Sequence, residues 1–246
     1  MKKTLLALGL ASAFSAAIAG PADYVYTPVV EYGEKELDLK YGVARNGADD
    51  REHAGSLGVG LGVTPFWFTE VYGKWERPAA EGTRLEAFEW ENKFQLTETG
   101  KYAVDVGLVT ELEIPRESED AKEIKIGALF QKDFGPIQAN FNVLLERKFG
   151  GDKAPDEERE TELGYQWQAK YRAMPSFEFG AQGFGEVGEW NDWEARKEQK
   201  HLMGPAVFGK IDLGSHQKLK YNAAWLLGAS DAAPNHTFRM QLEYEF

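Results

Sequence analysis

The chain is 246 residues long, has no cysteine and carries a formal net charge of −12. Without thiols there are no disulfides and no thiolate metal sites, and the acidic balance argues against nucleic acid as a partner. The length suits one domain, and no run of about eighteen apolar residues offers a membrane-spanning helix.

Lys2 and Lys3 open the chain, and 5–18 is an apolar run interrupted only by small residues and two serines. Ala17-Ile18-Ala19 fits the small-residue cleavage rule, so 1–19 reads as a signal peptide and 20–246 as one mature domain. The apolar run is too short for a first transmembrane helix, and no cysteine follows it to carry a lipid. Residues 20–32 read as a short periplasmic lead-in or plug.

From there, apolar and polar residues alternate in twelve segments, the period of strands with one apolar face. The segment 34–44 sets Leu37, Leu39, Tyr41 and Val43 on one side, 55–63 sets Leu57, Val59 and Leu61, and 67–76 sets Trp67, Val71 and Trp75. Next, 85–96 presents Phe88, Trp90 and Phe94, and 102–114 runs from Tyr102 through Val106 and Leu108 to Ile114. In the second half 122–131 presents Ile124, Ile126 and Phe130, 137–149 presents Phe141, Val143 and Leu145, and 161–172 presents Leu163, Tyr165, Trp167 and Tyr171. The segment 177–187 carries Phe177 and Phe179, and 218–229 carries Leu219, Tyr221, Trp225 and Leu227. Pro205 interrupts 202–211, where neither parity is clean. The last segment, 238–246, puts Phe238, Met240, Leu242, Tyr244 and Phe246 against Arg239, Gln241, Glu243 and Glu245.

Connections alternate in length. Gly-, Pro- and Asp-bearing turns at 64–65, 97–100, 133–136, 173–176 and 212–215 have ordinary turn chemistry. Longer charged loops fall at 45–53, 77–84, 115–121, 150–160, 189–200 and 230–236. Aromatic residues gather near both ends of the segments, as amphipathic rings do at two membrane–water interfaces.

This pattern, with a last strand ending in Phe246, resembles the transmembrane β-barrels of Gram-negative outer membranes. The resemblance covers nearly all of 20–246 at the level of architecture and implies an all-β fold: one closed antiparallel barrel of about twelve strands, with ten or fourteen as alternatives. It implies residence in the cell outer membrane among its lipids. It also implies docking at the barrel assembly machinery through the terminal strand, with Leu242, Tyr244 and Phe246 as the signal. Short turns would face the periplasm, with the N-terminus and Phe246, and long loops the exterior.

If the apolar parity meets lipid, the other faces the lumen. There it places Glu36, Asp38, Glu70, Glu89, Glu91, Asp105, Glu111, Glu113, Glu146, Glu162, Glu178 and Glu186, interleaved with Lys74, Lys125, Lys170, Arg172, Lys220 and Arg239. Confined charges must be paired or hydrated. A wet lumen with an acidic excess suits passive, porin-like passage of small hydrophilic solutes or cations, without a cofactor. Charges that pair across the lumen would instead make a non-transporting structural or ligand-binding barrel with acidic external loops. A twelve-stranded barrel lies between the filled and the open sizes, so strand number leaves both readings standing.

A lipid-modifying barrel enzyme needs a nucleophile and its base within hydrogen-bond reach. The outer-membrane phospholipase family has its His and Ser two residues apart on a lipid-facing strand. Here His53-Ala54-Gly55-Ser56 has other spacing, and Ser56 falls on the polar parity. No catalytic residue is assigned. The acidic run within 151–160 and Asp49-Asp50 lack the fixed spacing of a calcium loop, so no metal site is assigned. Channels for acidic sugars resemble this chain in strand number but line their lumens with arginine, whereas only Arg172 and Arg239 point inward here.

Overall fold

The computed structural model describes residues 20–47, 50–78, 82–152 and 160–246. The expected signal peptide lies outside the described residues, as do Asp49 and 153–159 of the acidic loop run.

Twelve strands follow one another: β1 Lys35–Arg45, β2 Arg51–Thr64, β3 Trp67–Arg77, β4 Arg84–Gln95, β5 Asp105–Pro115, β6 Lys122–Phe134, β7 Ile137–Phe149, β8 Thr161–Met174, β9 Phe177–Glu189, β10 Lys200–Gly214, β11 Gln217–Gly228 and β12 His236–Glu245. Each pairs antiparallel with its sequence neighbours, and β1 pairs with β12, so the sheet closes into a barrel. Closure removes both edges, a requirement where no water can satisfy unpaired backbone groups. At the seam Glu36 stands opposite Glu245 and Arg45 opposite His236, and the Phe246 amide donates to the Lys35 carbonyl at 2.9 Å.

The apolar parity is the outer face. Leu37, Leu57, Val59, Val71, Phe88, Trp90, Ile126, Phe141, Phe179 and Trp225 are exposed while their polar neighbours are buried. A protein in water would bury these side chains; here a bilayer's hydrocarbon covers them. Near the short turns Trp67 stacks on Phe94 and Tyr171 leans on Phe179, with ring centroids 6.4 and 5.5 Å apart.

Three strands differ from the sequence expectation. The second begins at Arg51 rather than 55, so the expected loop at 45–53 is shorter. The fifth begins at Asp105 rather than 102, because the Asp105 carboxylate accepts the Gly100 amide at 2.7 Å and stretches the turn through Val104. The tenth runs unbroken through Pro205. This proline sits opposite Ala181 of β9, and pairing to β11 resumes at Ala206, so the missing N–H interrupts one ladder only.

The stretch before β1, read from the sequence as a lead-in or plug, lies inside the barrel. It enters at the long-loop end and descends to the short-turn end. A Cβ on Gly42 of β1 would lie 1.8 Å from the Pro21 carbonyl oxygen, and one on Gly62 of β2 would lie 1.9 Å from that of Glu31. These glycines leave room for backbone to lie on the wall at two heights. At the lower end the Gly33 amide donates to the Gly62 carbonyl and the Gly62 amide to the Glu34 carbonyl, both at 2.8 Å.

Candidate permeation pathway

The barrel interior has two unlike walls. From β3 to β8 the register sets Glu70, Glu91, Glu111, Lys125, Glu146 and Glu162 directly opposite one another in sequence. A parallel row holds Tyr72, Glu89, Glu113, Glu123 and Lys148. Like charges placed opposite on a sheet repel, so the lysines among them are counter-ions. Lys125 lies 2.9 Å from Glu111 and 3.7 Å from Glu146. Lys74 reaches Glu89 at 2.9 Å and also touches Glu113. Lys40 lies 3.5 Å from Asp38 and 3.7 Å from the ring centroids of both Tyr24 and Tyr72.

Nearer the short turns on β7 and β8, and on β9, the lining is neutral. Asn140, Asn142, Gln166, Gln168 and Gln182 are buried: Gln182 donates to Gln168 at 2.6 Å, Asn142 to Gln166 at 3.2 Å and Asn140 to Gln131 at 3.0 Å. Beside them Phe184, Leu202, Phe208 and Leu226 form an apolar patch. Arg239 is buried here and donates to the Gln182 amide oxygen.

Glu36, Asp38, Glu70, Glu89, Glu91, Glu111, Lys125, Glu146 and Glu186 are buried within the barrel. Lys74, Glu113 and Glu162 are half-buried around the upper cavity or near it. Lys170 pairs with Glu178 at 3.1 Å, and Lys220 pairs with Glu34 at 3.1 Å toward the short-turn mouth. Arg172 sits at that mouth against Asp133 at 3.0 Å, and Asp105 is engaged in its turn. Sequence reasoning missed the inward apolar residues. Val109, Leu129 and Leu144 are fully enclosed on the parity assigned to polar groups. Each was visible as an apolar residue on the wrong side of an alternating strand.

It also gave no contacts for the inner segment. Residues 24–26 alternate like a strand between the two walls. The Tyr24 hydroxyl donates to Glu91 at 2.6 Å, and the Tyr26 hydroxyl donates to Glu111. Between them Val25 packs on the apolar patch. The Asn142 amide donates to the Tyr26 carbonyl at 2.9 Å, and the Val30 amide donates to Gln95 at 2.8 Å. Burial pushes both phenols well above their ordinary values, so both remain donors. The lumen is thereby divided. A cavity of about 580 Å³ opens toward the short turns and another of about 470 Å³ toward the long loops, and Tyr24 lines both.

Among the described residues, two carboxylate groups bring ligand atoms within 4.8 Å of one another: Glu89, Glu91 and Glu111 inside, and Glu31, Glu34 and Glu245 at the short-turn mouth. Lysine ammonium groups already neutralise Glu89, Glu111 and Glu34, so the wall holds cations without requiring a metal.

Three of the four histidine rings turn to aromatic neighbours. His53 lies 2.7 Å from the Tyr41 hydroxyl and His201 lies 2.9 Å from that of Tyr165, while His236 meets Trp225 edge-on.

No protein-family profile matches the chain, and a comparison with curated proteins finds no match. Solved structures do match. The COG4313 outer membrane channel from Pseudomonas putida F1 superposes with a TM-score of 0.59 at 14% identity, over 92% of this chain and 98% of that one. The KdgM porin gives 0.55 at 9% identity over 86% and 99%, and the NanC porin gives 0.54 at 13% over 85% and 98%. The shared architecture and the apolar outer face make this protein a transmembrane β-barrel of porin-like fold.

Proposed function

We propose that the barrel is a passive, cation-preferring channel for small hydrophilic solutes, throttled by its own N-terminal segment. The observation that carries this reading is the carboxylate wall running between two open cavities. Carboxylates in a confined, low-dielectric wall raise the local cation concentration, and their lysine partners keep the wall from collapsing by repulsion. The reaction is movement down a gradient and needs no cofactor. A KdgM porin was solved with disordered oligogalacturonate; the acidic wall here disfavours so anionic a solute.

Refolded protein in a planar bilayer under asymmetric potassium chloride is expected to show discrete conductance steps and a cation-selective reversal potential. A verified barrel without any step would favour the second reading, a non-transporting barrel. The hydrogen bonds from Tyr24, Tyr26 and Asn142 that hold the lumen segment in place are the observation on that side. For assembly, Leu242, Tyr244 and Phe246 are proposed as the docking signal. Removing Phe246 is expected to lower the heat-modifiable fraction on a semi-native gel.

A further inference from the structure

Lys40, Lys74 and Lys125 of the interior are paired with carboxylates, whereas among the described residues a group of arginines on the outside is not. On β12, β1, β2 and β3 the lipid-facing parity ends, at the long-loop edge, in His236, Arg45, Arg51, His53 and Arg77. Arg45 stands opposite both His236 and Arg51, and His53 stands opposite Arg77, so they form one patch across four strands. Directly opposed side chains have Cβ atoms about 5 Å apart, and like charges so placed repel. No described carboxylate forms an ion pair with Arg45, Arg51 or Arg77; the Arg45 guanidinium donates to the Gly47 carbonyl. Every Asp and Glu of these four strands takes the opposite parity. In a chain of net charge −12, this segregation leaves a concentrated positive field beside the membrane.

We infer that this collar binds the phosphate groups of an outer-leaflet lipid. Tyr41, Val43 and Phe238 continue the same face below it, so acyl chains would lie on that face while the headgroup meets the arginines. Planar guanidinium groups match phosphate oxygens in bidentate fashion. Tyr41, Trp75 and Trp225 on the same strands and on β11 mark the interface height at which a headgroup sits.

The test uses purified, refolded protein in detergent, titrated with bisphosphorylated lipid A and followed by native mass spectrometry. The Arg45→Gln/Arg51→Gln/Arg77→Gln protein is expected to bind at least tenfold more weakly. Lys35→Gln/Lys132→Gln, at the opposite rim, is expected to bind like the parent. Dephosphorylated lipid A should bind the parent as weakly as lipid A binds the triple variant. Inorganic phosphate alone should not displace the lipid, because it lacks the chains that lie on the apolar face. Equal binding by the heat-modifiable triple variant, equal binding of dephosphorylated lipid A, or full displacement by inorganic phosphate would each overturn the inference. If the triple variant does not fold, the three single variants carry the same test, each expected to lose several-fold.

Discussion

The Tyr24 hydroxyl donates to the Glu91 carboxylate at 2.6 Å, joining the inner segment to the acid that is most completely enclosed in the wall. The other oxygen of Glu91 has no hydrogen-bond partner among the described residues, so Tyr24 carries much of that acid's satisfaction. A hydrogen bond to a charged group contributes about 1.5–3 kcal/mol, and an abandoned buried acceptor costs as much again. Tyr24→Phe, combined with Tyr26→Phe, is therefore expected to release the segment while leaving the strands intact. Single-channel recording should show larger or more frequent openings, with heat-modifiability unchanged.

Gly42 offers a test that leaves every charge in place. A side chain there collides with the Pro21 backbone, and backbone cannot rotate away as a side-chain tip can. Gly42→Val suits a strand by propensity, so the barrel should keep its thermal stability while the segment is pushed off the wall. Conductance should rise toward that of a protein lacking the segment.

Selectivity should follow the wall and not the loops. Glu111→Gln with Glu113→Gln removes two lumen carboxylates and leaves Lys125 and Lys74 less neutralised. The reversal potential is expected to move toward zero or to anion preference. Glu117→Gln with Glu119→Gln, in an exposed loop, is expected to change it little.

The inner segment should respond to pH through Asp23. Enclosure in the lumen pushes its carboxyl up to about 7, and it accepts the Gly20 amide at 2.9 Å. A group whose folded pKa is raised binds its proton more tightly in the docked state. Docking thus strengthens as pH falls from about 7 toward the ordinary carboxyl range, by at most about 1.4 kcal/mol per unit. Chains with a blocked or extended Gly20 nitrogen should conduct less at pH 6 than at pH 8. In a chain cleaved before Gly20, that nitrogen becomes an α-ammonium, which favours the ionised carboxylate and opposes the burial. Such protein should show a flatter profile, and Asp23→Asn should flatten the profile of the blocked form.

The barrel was legible because its signal repeats. Leu37, Leu39 and Tyr41, or Phe238, Met240 and Leu242, alternate so cleanly that one wrong register would put charge into lipid. For the inner segment a plug stood only as one alternative, and its contacts were not legible. Tyr24, Val25 and Tyr26 give a three-residue alternation with no partner strand nearby, and Glu91 and Glu111 lie 67 and 85 residues away. The neutral wall was half legible. Asn140, Asn142, Gln166 and Gln168 stood on the polar parity, but nothing local says that they gather into one neutral patch beside Glu146 and Glu162. Val109 and Leu144 broke their strands' alternation, and only the closed barrel shows that they fill the space above Gly127.

The central claim, a conducting lumen held shut by its own N-terminal segment, is tested most directly by removing residues 20–30 and recording single-channel currents beside the intact protein. The account expects the truncated, heat-modifiable barrel to give larger, cation-selective steps, and the intact barrel to give small or rare ones. A folded truncated barrel whose conductance equals that of the intact protein, or is absent, would contradict it.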